Sequence, residues 1–267
     1  MIAIIAGTGN LPVEACKSLL EKKQSFFVIS LFPQDNLDKI LNIVGNSKLV
    51  VTQKFYKATQ ILKILKERNV TKVLLIGKVD KRNTLKKIKL DWITIKFFAS
   101  LVCRSDTTMM EKIVSSFNER GFQVLNQNEI LQSLFIPPGI LTGKLTPELK
   151  ENIDFGINIA EKISEFDIGQ TVVVKDKMIL AIEAIEGTDS CIKRGIELGQ
   201  NNVVICKAAR KNQSKKFDLP TLGPDSLKNI KKNEVQAIAW TSNQTFIADK
   251  ELFIAKARGL GITLISV

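Results

Sequence analysis

The chain has 267 residues, a formal charge of +12, 45% hydrophobic and 25% charged residues, and no histidine. This is the balance of a globular protein with one large domain or two modest ones. No apolar run reaches the roughly 18 residues that would cross a bilayer, and without histidine all acid–base or metal chemistry falls to carboxylates, cysteines or lysines.

The N-terminus reads as a strand over residues 2–6 rather than as a basic, cleavable leader, so a cytoplasmic location is expected. Gly7-Thr8-Gly9-Asn10 is a turn, and Pro12 stands where proline suits the first turn of a helix that continues over 13–22. A strand over 26–31, a helix over 57–69 and a strand over 72–76 ended by Gly77 follow. Next come a helix over 107–119, capped by Asp106 or Thr107, and a strand over 121–125. Alternating strands and helices predict a parallel sheet covered on both faces.

Pro137, Pro138, Gly139 and Gly143 then break the regularity and suggest a linker. Thr146 and Pro147 open a helix to about Glu165, as N-cap and N1. Strands over 170–174 and 178–183 are joined by a hairpin turn at 175–177. A helix over 189–198, a strand over 203–207, a loop over 208–224, a helix over 225–232, a strand over 237–240, a helix over 249–258 and a strand over 262–267 complete a second unit. The expected fold class is α/β, with two α/β domains: an N-terminal Rossmann-like domain over 1–130, a linker and connecting helix over 131–165, and a C-terminal catalytic α/β domain over 166–267.

Cys16, Cys103, Cys191 and Cys206 are scattered with no paired spacing, so they read as buried reduced thiols and a zinc site is not expected. The basic excess admits three readings: nucleic acid, an anionic membrane surface, or the lysine bias of an AT-rich genome. No nucleic-acid motif is present, and nucleic acid is set aside as a partner.

The turn at Gly7, Gly9 and Asn10 begins like a dinucleotide fingerprint, and amides at a helix N-terminus can hold phosphate. Pro12 replaces the third glycine and no acidic residue ends the second strand at Ser30 and Leu31, so a nicotinamide cofactor is not expected. Lys78 and Arg104 lie where strands end or helices begin, and their cations suit phosphate. Trp92, Phe97, Phe98 and Leu101 are an apolar run that suits either a lipid-facing lining or a buried helix face.

Two carboxylate-rich runs carry most of the chemistry. Glu183, Glu186 and Asp189 crowd a strand end and the turn after it, and Asp218 and Asp225 flank the turn Pro220–Pro224. Each aspartate also suits a helix cap. Oxygen-only ligands in such turns suit Mg²⁺ or Mn²⁺, held through one or two carboxylates plus substrate phosphates. Lys207, Arg210, Lys215 and Lys216 would offset the charge of a diphosphate.

Taken in order, Ile5–Pro12, Gly77–Val79, Arg104–Asp106, Asp167–Val174, Ala181–Asp189 and Asp218–Asp225 resemble the UDP-2,3-diacylglucosamine pyrophosphatase family of the LpxI type over nearly the whole chain. The resemblance implies a hydrolase of lipid A (lipopolysaccharide) biosynthesis in a Gram-negative bacterium, cleaving a lipid-linked nucleotide sugar to UMP and 2,3-diacylglucosamine 1-phosphate (lipid X). It implies Mg²⁺ as cofactor, and two α/β domains.

Carried over by position, the resemblance makes Asp225 the catalytic residue, with Asp225, Asp189 and Glu186 as candidate metal ligands. Gly7, Gly9, Asn10, Lys78, Arg104, Thr188 and Lys207 are the candidate substrate-binding residues. The lysine-rich stretch from Lys207 to Lys216 departs from the family pattern. A lipid substrate further implies a peripheral position at the inner membrane, with the anionic membrane surface as a partner. A homodimer is compatible with the sequence. A non-catalytic protein that binds a nucleotide sugar or phospholipid is the alternative.

Overall fold

The structure is a computed structural model that describes residues 1–78, 106–210, 213–217 and 219–267, with the side chains of Asp106 and Thr107 left outside that description. Arg104, Asp218, Lys211 and the apolar run Trp92–Leu101 lie outside the described residues.

The chain divides into two units, Met1–Leu131 with Lys215–Phe217, and Gln132–Ser214 with Asp218–Val267. The first is built on a five-stranded sheet in the order β3-β2-β1-β4-β5, comprising β1 Ile2–Ala6, β2 Phe26–Ser30, β3 Val50–Thr52, β4 Lys72–Ile76 and β5 Gln123–Val124. Every pairing in it is parallel. β1, β2 and most of β4 are apolar without alternation and buried, as a sheet covered on both faces requires.

Helices α1 Leu11–Glu21, α2 Pro33–Val44, α3 Ala58–Glu67, α4 Asp106–Asn118 and the single turn α5 Gln127–Ile130 complete the first unit. β3 and α2 were not expected from the sequence. α2 starts at Pro33 and ends at Gly45, which is left-handed at φ 66° and takes the closing bond from its amide to Leu41 O at 2.9 Å. Phe217 lies in this unit's core with Phe27, Leu65 and Val73, and the Gln127 amide donates to Lys215 O at 2.6 Å.

The second unit has a six-stranded sheet in the order β6-β13-β11-β9-β7-β8. Its strands are β6 Gly139–Thr142, β7 Thr171–Lys175, β8 Met178–Ile182, β9 Val203–Lys207, β11 Val235–Trp240 and β13 Thr263–Ser266. β9, β11 and β13 are parallel, and β6, β7 and β8 are added antiparallel. The β7–β8 hairpin turns through Asp176 and Lys177, both left-handed at φ 50° and 58°, the geometry that matches strand twist. In a two-stranded ribbon, β10 Thr221–Leu222 pairs with β12 Phe246–Ile247, and β10 lies in the stretch 208–224 expected to be loop.

Two expectations need correction here. Residues 139–142, expected within a linker, pair with β13 as the edge strand β6. The helix expected as a connector, α6 Pro147–Glu165, is a layer of the second unit. Its Thr146 cap forms as expected, accepting from the Leu149 amide at 3.2 Å. The apolar stripe Leu149, Ile153 and Ala160 packs on Val172, Val174, Val204 and Cys206 of one sheet face.

Helices α7 Thr188–Gly199 and α8 Lys250–Leu260 share the second core with Trp240 and Ile205. The helix expected over 225–232 is one 3₁₀ turn, Pro224–Leu227. Among the described residues, no helix is long and apolar enough to cross a membrane.

Candidate active site

In open α/β sheets, ligands collect beyond the carboxyl ends of the parallel strands. At that end of the second sheet β9 closes on Lys207, in register with Trp240 of β11 and with Thr171 of β7. Lys207 is only 5% exposed. Its Nζ donates to Thr188 Oγ1 at 3.0 Å and to Thr171 Oγ1 at 3.3 Å. Thr188 in turn donates its hydroxyl hydrogen to Glu183 Oε1 at 2.8 Å, and the Gln170 amide donates to Glu183 Oε2 at 3.3 Å. An ammonium, a hydroxyl and a carboxylate are thereby aligned in one donor direction, which offsets the cost of enclosing the lysine.

The hydroxyl in that chain belongs to the first residue of α7. Gly187 caps this helix at φ 83° without any side-chain cap bond, and a side chain added there would meet open space. The uncapped helix amides and the Lys207 ammonium form a corner suited to an anion. Around it, Gln170 donates to Gln213 Oε1 at 2.9 Å, the Arg210 amide donates to the same oxygen at 3.1 Å, and Arg210 pairs with Asp167 at 3.2 Å.

The carboxylates divide by role. Glu186 is committed: Oε1 pairs with Arg194 at 2.6 Å and Oε2 accepts from the Ala184 amide at 3.2 Å. Backbone hydrogen bonding and the Arg194 guanidinium hold its carboxyl below the usual carboxylate range. Asp189, in the first turn of α7, and Asp225, on the 3₁₀ turn, are both exposed. Neither carboxylate makes a hydrogen bond or ion pair to any described residue.

Pro224 and Leu227 are buried beneath Asp225, and Leu222 and Leu227 enter the same core as Cys191, Ile192 and Trp240. The two carboxylate runs therefore rest on one core. Glu186, Asp189 and Asp225, expected as a metal-binding trio, nevertheless do not form such a group; among the described residues no three acidic or thiol side chains do. Arg194 has claimed one member. The remaining oxygens suit a cation that is completed by substrate phosphate and water.

In the first unit the glycine turn is built as expected and already engaged. Thr8 and Lys78 exchange backbone bonds of 2.7 and 3.0 Å, bringing the ends of β1 and β4 so close that a side chain on Gly7 would overlap the Lys78 carbonyl. Gly77, at φ 93°, would set a Cβ 2.7 Å from Thr8 O, so both positions require glycine. Asn36 Nδ2 donates to Gly7 O and Gly9 O, each at 2.9 Å. The Gly9 amide, expected to face phosphate, donates to Asp35 Oδ2 at 2.6 Å. Asn10 caps α1 through its carbonyl, and Lys78 is exposed.

Asp35 and Asn36 belong to no motif visible in the sequence, Gln170 and Thr171 belong only to the run Asp167–Val174, and the role of Glu183 emerges only from its contacts with Thr188 and Gln170. Thr171 did carry a signal, as a polar residue heading the apolar run of β7 that ends buried. The described cysteines are inert: burial pushes the Cys16 and Cys191 thiols up to about 12 and Cys206 higher still.

Comparison with known proteins supplies the lineage. Residues 1–134 match the LpxI N-terminal domain, and residues 137–265 match the LpxI C-terminal domain. The chain belongs to the LpxI family. The two LpxI domain matches meet near the division between the two units. A relative from Caulobacter vibrioides, the UDP-2,3-diacylglucosamine pyrophosphatase LpxI, is 27% identical over 282 residues, spanning 100% of this chain and 97% of that one. The Lys207–Thr188–Glu183 chain, Asp189 and Asp225 all fall within the LpxI C-terminal match.

Proposed function

We propose that the protein hydrolyses the diphosphate bond of UDP-2,3-diacylglucosamine, giving UMP and 2,3-diacylglucosamine 1-phosphate (lipid X). The observation that carries this reading is the end-to-end similarity, through both LpxI domains, to a protein named for that substrate. The corner at Lys207 suits the chemistry. Water adds to one phosphorus, the bridging P–O bond breaks, and its electron pair leaves on the other phosphate. Catalysis of such a step is mostly positioning and neutralisation of charge.

Lys207 and the first amides of α7 hold phosphate oxygens in this reading, while the Thr188 hydroxyl, whose hydrogen goes to Glu183, accepts from the Lys207 ammonium and positions it. Asp225 and Asp189, the uncommitted carboxylates, are the residues that would hold Mg²⁺ or Mn²⁺. Such a cation supplies charge neutralisation at the diphosphate when bound. Asp225 also orients the attacking water and accepts its proton. The net charge of +12 favours approach to an anionic membrane surface, where a diacylated substrate resides, so the enzyme works peripherally at the inner membrane.

Purified protein supplied with Mg²⁺ and UDP-2,3-diacylglucosamine is expected to release UMP. Asp225→Ala is expected to slow release by about 10²–10⁴-fold while substrate still binds. Tight binding by the intact protein without turnover would identify a binding protein instead.

A further inference from the structure

The excess positive charge of the chain is unevenly divided. Of the 39 lysines and arginines and 27 acids, the first unit holds 23 and 11, and the second holds 16 and 16. The whole net charge of +12 therefore belongs to the first unit, and the second is neutral. A lysine-biased genome would have charged both units alike. Nor does the excess serve the diphosphate, because the unit that carries Lys207 has none. A field of one sign works against compactness through self-repulsion, and an anionic partner offsets it.

Topology gathers part of this charge on one rim. Every pairing in the first sheet is parallel, so the segments that lead into β2, β3, β4 and β5 lie along its amino edge, opposite the glycine turn. Ile2 is in register with Phe26 and with Lys72, and Lys72 with Gln123. Those segments carry Lys22, Lys23, Lys48, Arg68 and Arg120, and Lys72 begins β4. The acids beside them are Glu21, Glu67 and Glu119, and Glu67 is shared with Lys63 at 3.7 Å. Lys23, Lys48, Lys72 and Arg120 are exposed. Lys22 donates to Ile130 O at 3.0 Å and Arg68 to Lys48 O at 3.2 Å, neutral partners that do not cancel their charge.

We propose that the first unit is the docking element for an anionic bilayer, an inference that rests on the peripheral position read above. Lys23, Lys48 and Lys72 lie on its contact rim, and the neutral second unit adds no attraction. A bilayer fits better than nucleic acid, because a diacylated substrate resides in one and the chain has no nucleic-acid motif. Each lysine near such a surface strengthens binding about 5-fold. The range of that attraction shrinks from about 10 Å at 0.1 M salt to about 3 Å at 1 M.

Two triple variants of the full chain, each in exposed lysines of one unit, test the assignment. One carries Lys23→Gln, Lys48→Gln and Lys72→Gln; the other carries Lys144→Gln, Lys231→Gln and Lys256→Gln. Vesicles of phosphatidylglycerol and phosphatidylethanolamine are expected to bind the wild type, and phosphatidylcholine vesicles to leave it in solution. The first-unit triple should lose about 10²-fold in affinity for the anionic vesicles, and the second-unit triple about 2-fold or less. UMP release from detergent-dispersed substrate should be the same in all three proteins. Equal losses in the two triples, or no preference of the wild type for anionic vesicles, would overturn the docking element even if turnover in detergent is normal. Tighter binding to duplex DNA than to vesicles, lost in the first-unit triple, would overturn it in favour of nucleic acid. Vesicle binding through the first unit in a protein that releases no UMP would keep the docking element and reject the hydrolase reading.

Discussion

The two units offer similar ground, a helix N-terminus beside the carboxyl ends of parallel strands, and furnish it in opposite ways. In the first, the chain satisfies its own turn: Asp35 takes the Gly9 amide, Asn36 takes two carbonyls, and Lys78 is bound through its backbone. In the second, the Lys207 ammonium and the Thr188 hydroxyl answer to Glu183, but the amides of α7 have no side-chain cap. A glycine-rich turn is therefore not in itself an anion site. What matters is whether the chain has already supplied the negative group.

The sharpest way to test this contrast is to remove charge from the second unit. Asp225→Ala is expected to lower kcat by about 10²–10⁴-fold, the usual worth of a group that handles the transferred proton. Because Asp225 is exposed on its turn, the melting temperature should hold; parallel loss of stability and activity would break the reading. Lys207→Met is expected to cost about 10²–10³-fold in kcat, the scale of one lost donor to a developing charge. It also leaves Glu183 without its counter-charge, so thermal unfolding should shift to lower temperature; a variant with wild-type kcat would remove Lys207 from the site.

In the first unit, Gly7→Ala should act on the fold. The new methyl meets the Lys78 carbonyl, and a loss of about 1–3 kcal/mol is expected in denaturant unfolding.

Cys16 and Cys191, one in each unit, test both interiors by pH. Burial raises their thiol pKa from 9.0 to about 12, so the neutral thiols are favoured in the folded state. That stability is fully present below pH 9.0 and is lost as pH climbs toward about 12. Iodoacetamide at pH 8 should label them only after denaturant is added. The smallest effect is expected from Arg194→Ala, which frees Glu186 from a partly exposed ion pair that solvent screens, so the melting temperature should barely move. Mg²⁺ dependence that tightens in this variant would show that the clasp had withheld Glu186 from the cation.

Much of the architecture was legible in the chain. β1, β9 and α6 were recognisable because unbroken apolar runs and a Thr-Pro start leave few alternatives. β3, β10 and β12 were not, since strands of two or three residues have no period to read. β6 was hidden by Pro137, Pro138 and Gly139, which look like a linker until β13 offers an edge to pair with.

The site divided in the same manner. Local order alone made Glu186, Asp189 and Asp225 equivalent carboxylates on turns. By itself the sequence determined the two α/β units, the lack of histidine chemistry, and the motif order that marks the LpxI family. Only the tertiary structure decided that Arg194 claims Glu186, that Asp35 fills the first turn, and that Lys207, Thr188 and Glu183 form one chain of donors. Those contacts join residues 5–26 positions apart in sequence across separate elements. Distance along the chain carries no such information; strand register and helix placement do.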